Sequence, residues 1–275
     1  RRAHADAREG ERVTRRDAHA HAHAHAQARA HAPVNAHVLA AIVVGALVAS
    51  TAAQAYRPPT RVLLQKAMEH RFDRTPSKTL RVDLETQLYE LTGTSRGAST
   101  TERWTFEAPG DLKKENDAGT EVRVDDRIVT PKPGKAGVDF LFDLLTSAPP
   151  LDPDRAAERL FRDMRTIGVD TDVVSFARFD GRVAYLIGSK PWEKDKPQLW
   201  LDKDSLLVLR VVLVNKGDDG KLHRTDVRYL GWGSPLGGNW FPSNIEVWSD
   251  DHIVKRSTLR NIERGVTIEP GTFPR

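Results

Sequence analysis

The chain has 275 residues, with 42 Lys+Arg against 38 Asp+Glu and a hydrophobic fraction of 39%. Residues 1–55 take seven of the basic and four of the acidic residues, leaving 35 and 34 in 56–275, so the body is near neutral and a body-wide nucleic-acid surface is excluded. Cysteine is absent, which rules out disulfides, thiolate metal sites, a Cys nucleophile and a lipid on an N-terminal Cys.

Residues 1–33 are mainly Ala, Arg and His and read as a disordered leader outside the native protein. The alternating run His19, His21, His23 and His25 has a metal-binding composition. No carboxylate pattern fixes those rings, however, and alternation with Ala buries nothing, so no metal site is expected. Residues 34–55 read as a secretory signal peptide: a 12-residue apolar core, Val38–Ala49, then a small-x-small cleavage pattern ending in Ala53-Gln54-Ala55. Cleavage is expected after Ala55. The apolar core is too short to span a bilayer, which takes about 20 residues, so no transmembrane segment is expected in the mature chain.

In the body, residues 56–275, the first predicted element is a helix after Pro58-Pro59. Thr60 is its expected N-cap, Leu64, Ala67, Met68 and Phe72 form its apolar side, and Thr75-Pro76 stops it. Residues 80–88 then alternate, with Leu80, Val82, Leu84 and Leu88 on one face and Arg81, Asp83, Glu85 and Gln87 on the other: a half-buried strand. Trp104 and Phe106 repeat that pattern, and shorter strands follow at 121–124 and 127–129. The apolar stretch Asp139–Thr146 is predicted to be a short helix. Asp152-Pro153 opens another, with Ala157, Leu160, Phe161, Met164 and Ile167 apolar and Gly168 as C-cap.

From 171 onward the pattern is a meander. Strands are predicted at 173–178 and 182–188 around Asp180-Gly181, then at 199–202, 206–215, 221–230, 240–250 and 252–262. Strand 206–215 is apolar on both sides and should be covered on both. The predicted fold class is α+β: a curled antiparallel sheet forming an unclosed β-barrel, covered by a few helices, in one domain.

No motif for chemistry emerges. The GxSxG, HExxH, Walker and GxGxxG patterns are missing, and Gly231–Trp240 reads as a wide hairpin loop, since no helix or Lys accompanies its glycines. His70, His223 and His252 belong to no catalytic pattern. The paired acids Asp125-Asp126, Asp218-Asp219 and Asp250-Asp251 fit turns. The six Trp, at 104, 192, 200, 232, 240 and 248, either fill a core or line an apolar concavity.

The order of helix, two strands, helical insert and meander is accompanied by three local features: Leu199-Trp200-Leu201-Asp202 before a turn, Trp240-Phe241-Pro242 opening a strand, and a closing Ile268…Phe273. Together they resemble the outer-membrane lipoprotein-sorting family of LolA-like carriers, with LolB and the RseB sensor domain as relatives. The resemblance implies a non-enzymatic, periplasmic, monomeric carrier, without cofactor, that shelters the acyl chains of a lipid or lipoprotein. Its partners would be inner- and outer-membrane sorting proteins. The lack of Cys favours a LolA-like carrier over a tethered acceptor, and the chain's end soon after the last strand favours a carrier over an RseB-like regulator of envelope stress. By alternation, Val82, Leu84, Trp104, Phe106, Leu209 and Val211 are the expected cavity lining. The family also has an Arg that gates the lid; Arg81 and Arg103 lie in the early strands, but neither maps onto it, and that role stays open.

Overall fold

The structure, a computed structural model, describes residues 57–274 apart from 73–76, 109, 125–126, 133, 136–152 and 218–219. The expected leader, signal peptide and helix at 139–146 lie outside the described residues. So do Asp125-Asp126 and Asp218-Asp219.

Two helices and thirteen strands are present among the described residues. They run in chain order α1 (Thr60–Phe72), β1 (Thr79–Leu88), β2 (Thr100–Glu107), β3 (Asp111–Asn116), β4 (Gly119–Val124), β5 (Arg127–Thr130) and β6 (Gly134–Lys135). After these come α2 (Pro153–Thr166), β7 (Val174–Phe179), β8 (Arg182–Ile187), β9 (Gln198–Asp202) and β10 (Val208–Lys216), then β11 (Leu222–Leu230), β12 (Asn244–Ser249) and β13 (His252–Arg264). All thirteen strands form one antiparallel sheet in the order β6-β5-β4-β3-β2-β1-β13-β12-β11-β10-β9-β8-β7, which is not closed.

Flat, thirteen strands would span about 60 Å, far too wide to share a core. Yet Leu112 on β3, the fourth strand from one edge, belongs to the same continuous buried cluster as Ile187 on β8, the second from the other edge. The sheet therefore curls. Register shifts at Asp83/Leu84, Val122/Arg123, Val208/Arg210 and Val247/Trp248 interrupt its ladders, and such bulges bend and twist strands. We call the face of Leu80, Val82 and Leu84 the inner face. Those residues are at most 5% exposed, whereas Arg81, Asp83 and Glu85 on the opposite side of β1 are not buried.

The inner face shares its cluster with both helices, through Leu63, Leu64, Ala67 and Met68 of α1 and Leu160, Phe161 and Met164 of α2. The helices are tied to one another by the Arg61–Glu158 ion pair and by Arg61 stacked 4.2 Å from the Phe161 ring centroid. Gly168 ends α2 with φ +82°, and the amides of Gly168 and Val169 return to the carbonyls of Arg165 and Met164. The loop 231–243 also contributes to the core. Phe241 is fully buried, its ring 6.0 Å edge-on from Trp104, and the Trp232 indole donates to the Val208 carbonyl at 2.8 Å.

Four expectations need correction. Thr60 is not an N-cap: its hydroxyl donates across to the Thr171 carbonyl at 2.6 Å, pinning the start of α1 to the loop after α2. Strand β3 has no counterpart in the sequence pattern, because Leu112 is its single large apolar residue. Residues 240–243 belong to the loop rather than to a strand. Strand β10 starts at Val208, because Leu206 (φ +55°) sits in a turn whose Asp202 carboxylate accepts the amides of Asp204 and Ser205. The Asp180-Gly181 hairpin is as expected, with both residues at positive φ.

Met164 is fully buried where α2 meets the core. Met164→Ala is expected to lower the unfolding free energy by about 2–5 kcal/mol in urea denaturation. A loss below about 0.5 kcal/mol, the size of a surface substitution, would place α2 outside the cooperative core.

Candidate functional site

All six expected lining residues lie in the shared core, with exposures from 0% for Val82 to 9% for Trp104. The pairing of β1 with β2 sets Val82 opposite Trp104 and Leu80 opposite Phe106, and that with β13 sets Leu84 opposite Leu259. Val211 lies opposite Val227, and Leu209 lies at the β9–β10 bulge. Of the six, Trp104 also lines a cleft of about 330 Å³, at the mouth of the inner face between β2, β3 and β4.

That cleft contains charged residues which a count of apolar positions does not reveal. Glu102, two positions before Trp104, is only 7% exposed. Its carboxylate accepts the Lys255 ammonium at 2.7 Å through one oxygen and the Trp104 indole N–H at 3.2 Å through the other. The Lys114 ammonium lies 4.6 Å from the Trp104 ring centroid, and Glu121 stands opposite Lys114 in the β3–β4 register. The signal is in the alternation: the parity that turns Trp104 and Phe106 inward also turns Glu102 inward, and Lys255 shares the parity of Ser257 and Leu259.

Inner-face side chains beside the mouth are less covered. Val227, Val247 and Lys255 are half-buried and follow one another across β11, β12 and β13, and Leu88, opposite Lys255, is 44% exposed. The inner face thus runs from a closed apolar interior to a partly open, polar rim.

Arg81 and Arg103 are on the outer face, where they pair with Glu263 and Asp83. Neither faces the helices, so neither fits a lid-gating role. Among the described residues, no group of three or more His, Asp or Glu is placed to hold a metal.

The outer face carries a second charged group. Arg210 donates twice to Asp226 at 2.7 Å, and Arg228 and Arg224 add bonds of 3.0–3.3 Å to the same carboxylate. Arg210 lies 5.0 Å from the Trp200 centroid, and Arg228 lies 4.0 Å from that of Trp248. Trp200 and Trp248 thus serve the outer face, Trp104 and Trp232 the interior, and Trp192 is 73% exposed.

Burial by itself pushes the Asp226 carboxyl up, but hydrogen bonds and charge from Arg210, then Arg228, outweigh it and hold the group below the ordinary carboxylate value. The stabilisation is complete above the unfolded value of 3.8 and is lost as the pH falls through the lowered folded value. Asp226→Asn leaves three guanidiniums around a neutral amide and is expected to cost about 3 kcal/mol at pH 7 in urea denaturation. The variant should also lack the Asp226 share of the acid-linked loss, so its stability is expected to fall less steeply than the parent's below pH 3.8. An acid profile identical to the parent's would contradict this.

No family model matches the chain, and no curated protein matches it. Solved structures do. The chain is similar to a LolA superfamily protein from Nitrosomonas europaea, at 10% identity over 80% of this chain and 99% of that one, with a TM-score of 0.47. It is also similar to an outer membrane lipoprotein-sorting protein domain from Vibrio parahaemolyticus, at 12% identity over 76% and 94%, with a TM-score of 0.46. A third is a DUF1329 family protein from Desulfovibrio piger, at 13% identity over 79% and 98%, with a TM-score of 0.48. The first two carry the family description that the sequence resembles. At such identities and TM-scores the likeness carries no argument about this chain.

Proposed function

We propose that residues 56–275 form a periplasmic carrier that shelters the acyl chain of a lipoprotein or another lipid and delivers it towards the outer membrane. The observation that carries this reading is the single apolar interior shared by the sheet's inner face and the helix pair, opening at one end onto a polar rim. In this reading 34–55 direct export and are removed after Ala55, sorting proteins of the two membranes are the partners, and the role is binding rather than catalysis. No helix among the described residues is long and apolar enough to cross a membrane.

An acyl chain enters such an interior by taking the place of helix contacts. Each buried methylene is worth about 0.8 kcal/mol, so a sixteen-carbon chain brings roughly 12 kcal/mol. Exposing Leu63, Leu64, Met68, Leu160, Phe161 and Met164 costs about 1.5–3 kcal/mol each, a sum of the same order. The exchange is near balance only if the acyl chain covers what the helices uncover. The helices can move without breaking a strand ladder, since the sheet's bonds all run between strands.

Tryptophan quenching by brominated acyl chains tests this. A phospholipid brominated along its chain should quench the parent's emission on binding, and Trp104→Phe should lose part of the quenching. Protein that stays empty in native mass spectrometry after incubation with both phospholipid and acylated peptide would contradict the reading.

A further inference from the structure

We propose that the free edge of β7 docks a second copy of this chain: two copies pair antiparallel, β7 to β7, about a two-fold axis through Phe176. The proposal is independent of the carrier reading, and it departs from the monomer that the family resemblance implies.

The backbone supplies the first argument. β7 stands at one end of the strand order and pairs with β8 alone. The Gly188 amide donates to the Val173 carbonyl at 2.9 Å, which makes 173 and 188 a hydrogen-bonded pair and sets the phase of the ladder. The bonded pairs that follow are Ser175 with Leu186, Ala177 with Ala184 and Phe179 with Arg182. The amides and carbonyls of Val174, Phe176 and Arg178 therefore point away from β8, and among the described residues they have no backbone partner. Edge strands are commonly blunted by Pro, Lys or a bulge. Val174–Phe179 contains neither Pro nor Lys, and its register with β8 runs without a shift. Such an edge is a template for another strand.

The side chains select which strand. Centring two copies on Phe176 makes 174 with 178, 176 with 176 and 178 with 174 the bonded pairs, so every outward amide of each copy meets a carbonyl of the other. Ser175 then lies opposite Ala177 in the narrow non-bonded pairs, where Cα atoms approach to about 4.5 Å and small side chains fit. Phe176, whose ring lies 5.2 Å from that of Tyr185, meets its own copy in a cross-strand aromatic pair. Arg178, the single charged residue of the strand, lands opposite Val174. The two arginines are then four residues apart, about 14 Å, beyond the Debye length of about 8 Å at physiological salt. The strand is thus self-complementary, whereas one cation gives a foreign charged strand little to recognise.

The other end of the sheet is β6, so pairing through β7 uses up that edge and stops at two copies. A single strand pair is small beside the about 1,600 Å² of a standard interface, so the dimer is expected to form with rising concentration.

Sedimentation velocity of the full chain over a concentration series tests this, with a mass expected to rise from one chain to two and to stop there. The chain has no Cys, so Phe176→Cys introduces a single reporter thiol. Across the two-fold axis the Cα atoms would lie about 5.5 Å apart, inside the disulfide range of about 4.4–6.8 Å. Mild oxidation should link that variant into a dimer and leave Leu222→Cys, at an exposed position on β11, as single chains. Amide exchange needs no variant: protection at Phe176 and Arg178 should rise with concentration, while Ala177 and Phe179, bonded to β8 in either state, keep theirs. A single chain at every concentration, growth past two chains, a dimer without change at the Phe176 and Arg178 amides, or linking at Phe176→Cys no greater than at Leu222→Cys overturns the proposal.

Discussion

The pairing of β1 with β13 holds the sheet together. The strand order consists of two runs of sequence neighbours, β1 to β6 and β7 to β13, and this one junction joins them. Every other neighbouring pair is consecutive along the chain, while β1 and β13 lie at opposite ends of the described body. Closing so long a loop costs conformational entropy that side chains must offset. They do so on the inner face: Leu84 packs opposite Leu259, Val82 stands opposite Ile262, and the fully covered hydroxyls of Thr86 and Ser257 bond at 2.8 Å. Losing that junction would split the inner face in two and leave neither helix a continuous surface to cover.

The two faces of the curled sheet follow different physics. Inside, contacts are apolar and non-directional, which under the proposed carrier reading lets the interior exchange one greasy partner for another at little net cost. Outside, arginines, carboxylates and aromatic rings form directional contacts, of which the three-arginine setting of Asp226 is the densest. This division suits a carrier: a rigid, hydrogen-bonded shell around a content that can be replaced. The rim at Glu102, Lys255 and Lys114 is where the two regimes meet.

Much of this is legible in the sequence. Alternation places β1 and β2 and puts the six residues expected to line a cavity into the core, and Pro153 and Gly168 bound α2. Other features depend on partners that lie far off in the chain. Strand β3 is nearly all polar, and it is a strand because Lys113 pairs with Glu115 outside and Lys114 lies over Trp104 inside. The Gly-rich segment reads as a loop, but nothing local says that Trp232 and Phe241 fold back into the core. Thr60 has the chemistry of an N-cap, and only the tertiary position of Thr171 diverts its hydroxyl. Glu102 and Lys255 are readable in principle, as charges at inward parity, a pattern that apolar-face counting passes over.

The central claim is that the helix pair seals the inner face by side-chain packing and yields to a ligand while the sheet stays whole. Hydrogen exchange with and without a bound acyl ligand tests it most directly, because it reads local opening segment by segment. Ligand should change protection in 60–72 and 153–166 and leave the amides of β1 and β13 as they were. Uniform change across helices and sheet, or none in the helices, would contradict it.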